Sequence, residues 1–276
     1  MPELPEVETI KRSLKPLLTG LTITGANVRL LKIVAAPADN AAFVALLTGK
    51  KITGLSRRGK YLLFTLTAGY SLVFHLRMTG SLVYYPAAQP LEKHAHLVIE
   101  LENGFHLRFM DYRQFGRVWL LATKDLAHLP GYKDLGPEPF DPVFTEAYFR
   151  KALSQKQSRI KPLLLNQTFI AGLGNIYTDE ALHRAGIEPE SKAASLKAPA
   201  VKRLYQSIRA VLQEGIEHRG SSVRDYFDGE GQPGNYQKLL RVYGKTGQPC
   251  PSCGTAIVRK KVGGRGTFFC PHCQRG

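Results

Sequence analysis

The chain has 276 residues, 43% of them hydrophobic; at roughly 150 residues per domain that suggests two domains with real cores, and it excludes global disorder. Lys and Arg number 38 against 22 Asp and Glu, and the +16 excess favours a polyanionic partner, nucleic acid first and an anionic membrane surface second. No stretch approaches the ~20 apolar residues that cross a bilayer, and no apolar segment follows the first residues, so a cytoplasmic or nucleoid-associated protein is expected, with no membrane partner.

The chain opens MPELPEVE, with a proline directly after the first Met and three carboxylates close behind. A helix is expected from Leu4 to Leu18. Pro5 suits its first turn, where no backbone N–H is needed, and Glu6 and Glu8 complement the positive end of its dipole. Val7, Ile10, Leu14 and Leu17 recur at three- to four-residue spacing and give the apolar stripe. Gly20 is a natural stop.

From about residue 22 to 122 the pattern is that of strands. YLLFTLTAGYSLVFHLRM reads as two strands about Ala68-Gly69. In HLVIELENGFHLRFMD, Leu97, Ile99 and Leu101 alternate, Asn103-Gly104 turns, and Phe105, Leu107 and Phe109 alternate again. Hairpins at such spacing predict a β-sandwich or barrel. Three prolines in LGPEPFDP, Leu135 to Pro142, place a hinge over 135–144 between a domain at 1–134 and a helical one at 145–241.

Helices are expected over 145–154, 158–166, 175–185 and 199–218. Val201, Leu204, Ile208, Leu212 and Ile216 form one face of the last. The Gly-rich, polar segment 219–235 reads as a long mobile functional loop attached to this domain. Between two helices, Gly172-Leu173-Gly174-Asn175 allows a tight turn and close approach to a ligand. Asn175 is expected to cap the following helix, whose free amides suit an anion, with Lys161 supplying charge alongside. By itself this segment reads equally well as a plain helix-loop-helix; the net charge and the cysteine tail favour phosphate binding.

All four cysteines lie in the terminal segment 242–276. Cys250-x2-Cys253 and Cys270-x2-Cys273 are sixteen residues apart, a spacing that fits a four-cysteine zinc site. Four protein ligands make it one structural zinc with no catalytic role. The intervening AIVRKKVGGRGTFF reads as a hairpin with Gly263-Gly264 at its tip. Its Arg265, set among glycines, is placed to reach a backbone phosphate. His272 reads as a bystander.

Several segments now carry a resemblance. PELPEVET, RRGKYL, HLRMTG, DYRQFG, LGPEP, AGLGNIYTDEAL and CPSCG…GGRGTFFCPHCQR, in that order, resemble bacterial formamidopyrimidine-DNA glycosylase from Pro2 to Arg275. The resemblance implies an α+β protein of two lobes: an N-terminal β-sandwich with a flanking helix, and a C-terminal helix-two-turns-helix lobe with a zinc-finger hairpin. It implies a monomeric enzyme that excises oxidised purines, chiefly 8-oxoguanine and formamidopyrimidines, from double-stranded DNA and then cuts the strand. The family's nucleophile matches Pro2, its acid/base Glu3, a supporting carboxylate Glu6 and its catalytic lysine Lys60; Arg265 joins the catalytic set. The void-filling residues match Met78, Arg113 and Phe115. Further DNA contacts are expected at His94, Lys161, Gly174, Asn175, and Ser222, Arg224 and Tyr226 of the lesion-sensing loop 219–235. Glu8 reads as an ordinary helix charge. Asn166 and Ser81 depart from the family's common Asp and Arg.

Two rival readings remain. An endonuclease VIII-like glycosylase for oxidised pyrimidines opens PEGPEI, whereas this chain opens PELPEV and keeps DYRQFG. A non-catalytic binder of damaged DNA would have no need of Pro2, Glu3 and Lys60 together.

Overall fold

Helix α1 spans Leu4–Leu18 as its stripe predicts, and Val7, Ile10, Leu14 and Leu18 are fully buried. The computed structural model describes residues 1–223 and 226–275. They divide into two units: Met1–Lys133 with His218–Gln237, and Asp134–Glu217 with the segment from Lys238 onward.

The first unit holds two sheets. Strands β1 (Ile23–Val28), β2 (Val34–Ala36), β3 (Ile52–Arg58), β4 (Tyr61–Leu66), β5 (Tyr70–His75), β6 (Gly80–Pro86), β7 (Ala95–Leu101), β8 (Phe105–Asp111) and β9 (Arg117–Ala122) follow in order. One sheet runs β2-β9-β5-β4-β3 and the other β1-β7-β8-β6. The Ala68-Gly69 turn joins β4 to β5 with both residues at positive φ (59° and 72°), so Tyr61 pairs with His75 and Leu66 with Tyr70. Phe64, Phe74 and Phe109 pack edge to face, with centroids 5.4 and 5.5 Å apart, and join the two sheets through one core.

One element interrupts the expected run of strands. Helix α2, Asn40–Leu47, lies between β2 and β3. Its apolar residues carry no clear helical stripe, but Asp39 caps it, accepting from the amides of Ala41 and Ala42 at 3.0 and 3.3 Å. Phe43 and Leu47 are its buried anchors.

The loop over 219–235 groups with the N-terminal unit, not with the helical domain that the sequence reading attached it to. The amide of Ser221 donates to Glu6 Oε1 at 2.8 Å and that of Gly229 to Ser13 Oγ at 3.0 Å. The amide of Tyr84 donates to the Gly229 carbonyl at 2.9 Å. These partners are far away in sequence, so composition alone read the segment as mobile.

The second unit carries α3 (Glu146–Ser154), α4 (Ile160–Leu165), α5 (Asn175–Ala185) and α6 (Ala198–Glu217), then the hairpin of β10 (Val258–Val262) and β11 (Arg265–Phe269). Gly263 and Gly264 form the tip, at φ 54° and 79°. No described helix is long and apolar enough to cross a membrane.

Candidate functional site

The N-terminal end of α1 is held unusually well. Pro2, Glu3 and Glu6 are all buried. Glu3 caps the helix and forms a capping box with Glu6, whose Oε2 accepts the Glu3 amide at 2.8 Å. The other Glu6 oxygen accepts Ser221. One carboxylate therefore ties the first turn to the loop, and a chain end that would ordinarily fray is fixed beside Glu3.

Lys60 is buried in the turn between β3 and β4, after Gly59 at φ 56°. That turn is braced from α1. Arg57 donates through its guanidinium to the Gly59 carbonyl at 3.0 Å and to Glu8 Oε2 at 3.1 Å. Glu8 also pairs with Lys11 at 2.7 Å and Arg12 at 2.8 Å. Glu8 is thus more than a helix charge: it is a buried node for three cations that links α1 to the Lys60 turn. Burial alone would raise its carboxyl; hydrogen bonds from Lys11 and Arg12, with the charges of Lys11 and Arg57, hold it below the ordinary carboxylate range. The sequence carried a partial signal, since Lys11 and Arg12 follow Glu8 at helix spacing, but Arg57 lies far along the chain.

His75, paired with Tyr61, is pushed down to about 3 by burial and by the neighbouring charges of Arg77 and Lys60. It is neutral at pH 7, and its Nδ1 accepts the Arg77 amide at 3.1 Å.

Two loops lie side by side at one end of the two sheets, where His75 pairs with Arg117 and Gly80 with Asp111. Met78 lies half-buried in the turn from Leu76 to Gly80, where the Gly80 amide donates to the Leu76 carbonyl at 3.0 Å. Arg113 and Phe115 are exposed between β8 and β9, with the guanidinium 4.9 Å from the ring centroid. His94 is half-buried and stands edge-on to Tyr112, centroids 4.7 Å apart.

Tyr226 is corrected by its surroundings. It lies in the core of the N-terminal unit, 7% exposed, and its hydroxyl donates to the Glu6 carbonyl at 3.2 Å. A side chain so placed supports the loop from within the core. Ser222 is half-buried; its Oγ donates to the Tyr226 carbonyl at 2.6 Å and accepts the Gly234 amide at 2.8 Å. Arg224 lies outside the described residues.

In the second unit, Gly174 is the N-cap of α5 and Asn175 its first residue. Asn175 does not cap the helix with its side chain. Its Nδ2 donates instead to the Gly266 carbonyl at 2.9 Å. Lys161 is also corrected: it has no exposed surface and so is not a surface phosphate ligand. Its ammonium lies 2.7 Å from Asp179, and it donates to the Gly266 carbonyl at 3.0 Å and to Thr267 Oγ1 at 2.8 Å. Asp179 accepts the Phe268 amide at 3.0 Å. Burial drives the Asp179 carboxyl up to about 7 against the pull of Lys161. Lys161, Asn175 and Asp179 therefore clamp the strand that begins with the exposed Arg265. Asp179 escaped the sequence reading, although it falls four residues after Asn175 on the same helix face.

The four cysteine sulfurs lie within 4.8 Å of one another; Cys250 and Cys273 are 3.9 Å apart, Cys253 and Cys270 3.5 Å. Zinc–sulfur bonds of about 2.3 Å in a tetrahedron require sulfurs about 3.8 Å apart, so the set fits a structural zinc and leaves no open position on it. His183 Nε2 lies 3.4 Å from Cys250 Sγ. His272 is exposed and its Nδ1 meets Arg275, away from the metal set.

Three family models match the chain: the formamidopyrimidine-DNA glycosylase N-terminal domain at residues 1–118, the formamidopyrimidine-DNA glycosylase H2TH domain at 135–226, and the zinc finger found in FPG and IleRS at 247–276. The formamidopyrimidine-DNA glycosylase of Pelotomaculum thermopropionicum is 54% identical over 275 residues, covering 100% of this chain and 99% of its own. That of Desulforamulus reducens is 49% identical over 276 residues, covering 100% and 99%. Among solved structures, a complex between the Lactococcus lactis Fpg and an abasic site containing DNA matches with a TM-score of 0.93 at 41% identity, over 99% of this chain and 100% of that one. A complex of wild-type L. lactis Fpg with N7-benzyl-Fapy-dG containing DNA matches with a TM-score of 0.93 at 41% identity, covering 100% of both. With its four-cysteine site, its two-sheet N-terminal unit and these relatives over its whole length, the chain belongs to the formamidopyrimidine-DNA glycosylase family of base-excision-repair enzymes.

Proposed function

We propose that this protein excises oxidised purines, 8-oxoguanine and formamidopyrimidines among them, from duplex DNA and then cleaves the strand by β,δ-elimination, working at the bacterial nucleoid. The observation that carries this reading is the fixing of Pro2 and Glu3 in a buried capping structure at the start of α1.

Removal of Met1 leaves Pro2 as a secondary amine. An α-amino group has a pKa of roughly 7.7–8.0, far nearer neutrality than a lysine at about 10.4; the positive end of α1 disfavours its protonated form, while the neighbouring carboxylates of Glu3 and Glu6 favour it. The neutral amine attacks the anomeric carbon of the damaged nucleoside, and the base departs with the C–N bond electrons. Loss of the sugar ring oxygen as a hydroxyl gives an iminium joining Pro2 to the sugar, which accepts electrons as the flanking phosphates leave. Glu3 moves protons at the sugar oxygen and the base. Glu6 acts in support, by holding Glu3 and Ser221. Lys60 contacts the DNA backbone beside the lesion, and Arg265 and the Gly174–Asn175 turn of the second unit bind backbone phosphate.

Reaching the sugar requires the base to leave the stack. Met78 and Phe115 fill the gap and Arg113 hydrogen-bonds the orphaned cytosine. Ser222 and the loop around it meet the extruded base, and His94 meets the backbone. Zinc, when bound, ties the two cysteine knuckles and so fixes the hairpin that carries Arg265.

Excision from duplexes containing 8-oxoguanine opposite cytosine, compared with thymine glycol opposite adenine, tests the substrate class. Faster release of 8-oxoguanine is expected. Preference for thymine glycol would move the protein to the pyrimidine-specific relatives.

A further inference from the structure

Asp111 takes no part in the chemistry above, yet its carboxylate is wholly buried at the end of β8. Among the described residues, its hydrogen bonds come from the loops assigned above to DNA. Oδ1 accepts the Thr79 hydroxyl at 2.5 Å and the Arg113 amide at 3.2 Å. Oδ2 accepts the Gly116 amide at 2.6 Å. Thr79 Oγ1 in turn accepts the Arg113 amide at 2.9 Å. One carboxyl group therefore spans the turn that carries Met78 and the loop that carries Arg113 and Phe115.

Arg77 and Gln114, one in each loop, sit at φ 57° and 58°, left-handed conformations that non-glycine residues keep only where the surroundings hold them. The backbone at Gly116 is closely packed on this frame: a Cβ there would meet Phe109 at 2.5 Å and Asp111 Oδ2 at 3.0 Å. The backbone of Asp111 extends the frame, its amide donating to the His94 carbonyl at 3.1 Å and its carbonyl meeting His96 Nε2 at 2.9 Å.

We propose that Asp111 is a positioning residue that locks Met78, Arg113 and Phe115 into one rigid probe, and that this lock, through Thr79, sets how strongly the enzyme prefers cytosine opposite the lesion. The proposal rests on the void-filling roles assigned above. An arginine held in one place reads a base edge; an arginine on a loosened loop meets either base.

The test uses full-length, zinc-loaded protein and duplexes with 8-oxoguanine opposite cytosine or adenine. Wild type, Asp111→Asn, Thr79→Val, Thr79→Ser and Arg113→Ala are compared by kcat/KM on each duplex, with thermal unfolding measured alongside. Asp111→Asn presents an amide N–H to the Gly116 N–H, and Thr79→Val cuts the link between the loops while leaving Asp111 in place. Each should reduce the cytosine-over-adenine ratio by about tenfold, the scale of one lost base contact. Thr79→Ser should keep the ratio. Should Asp111→Asn fail to fold, Thr79→Val decides the matter. An unchanged ratio in Thr79→Val, with the ratio collapsed in Arg113→Ala, overturns the proposal and spares the reading beneath it. An unchanged ratio in Arg113→Ala itself overturns both.

Discussion

The ammonium of Lys161 lies 2.7 Å from the carboxylate of Asp179, and neither side chain has exposed surface. The pair joins α4 to α5, and through Gly266, Thr267 and Phe268 it holds the zinc hairpin next to Arg265. A surface lysine would give a local, salt-screened contact. A buried one gives a clamp whose loss is felt along the whole hairpin.

Lys161→Met removes the cation that draws Asp179 toward its ionised form, leaves a buried acid without its partner and should destabilise the C-terminal unit by about 3–5 kcal/mol. Adding Asp179→Leu should recover most of that loss, because the unpaired buried polar group goes with it. Urea unfolding followed by circular dichroism measures both. A double variant no more stable than the single one would contradict the clamp.

Glu8 predicts an acid dependence. Its folded pKa lies below the ordinary value of 4.5, so the unfolded chain binds more protons in the window between the two. The stabilisation is therefore full above about pH 4.5 and is lost as pH falls through the lower folded value. Glu8→Gln should be less stable than wild type at pH 7, and the gap should shrink by pH 3. A gap of constant size would mean that the cation node contributes nothing.

His75 predicts a second window. Its folded value of about 3 lies below the ordinary 6.5; the contribution is complete above pH 6.5 and declines as pH falls toward 3. The ring's C–H resonances should not titrate between pH 5 and 8 in the folded protein. A midpoint near 6.5 would place the ring in solvent and leave the Arg77 amide without its acceptor.

Chelation of zinc should loosen the hairpin and weaken DNA binding, while the two-sheet N-terminal unit stays folded, since it has a core of its own and the cysteines belong to a separate small cluster. Fluorescence of Trp119, which belongs to β9, reports that unit alone. Unchanged DNA affinity after verified zinc loss would contradict a role for the hairpin.

What could be read in the sequence was what repeats locally. The α1 stripe, the Ala68-Gly69 and Gly263-Gly264 turns and the paired cysteines each specify their structure within a few residues. Helix α2 escaped because its eight residues, apolar throughout after Asn40, have no readable period. Glu8, Tyr226 and Asp179 escaped or were misassigned because burial and distant partners decide their roles, and charge or aromatic type reads as surface function when neither is visible. Lys161 shows this most clearly: beside a glycine turn in a basic chain it reads as a phosphate ligand, and only its full burial makes it a brace.

The central claim is that the Pro2 amine is the nucleophile. Borohydride reduction of a reaction on a duplex containing 8-oxoguanine opposite cytosine should trap a covalent protein–DNA complex, and peptide mapping should place the DNA on a peptide that begins at Pro2. Intact mass should show Met1 removed in the trapped fraction. A cross-link at Lys60, or trapping that persists in a chain whose Met1 is retained, would contradict it.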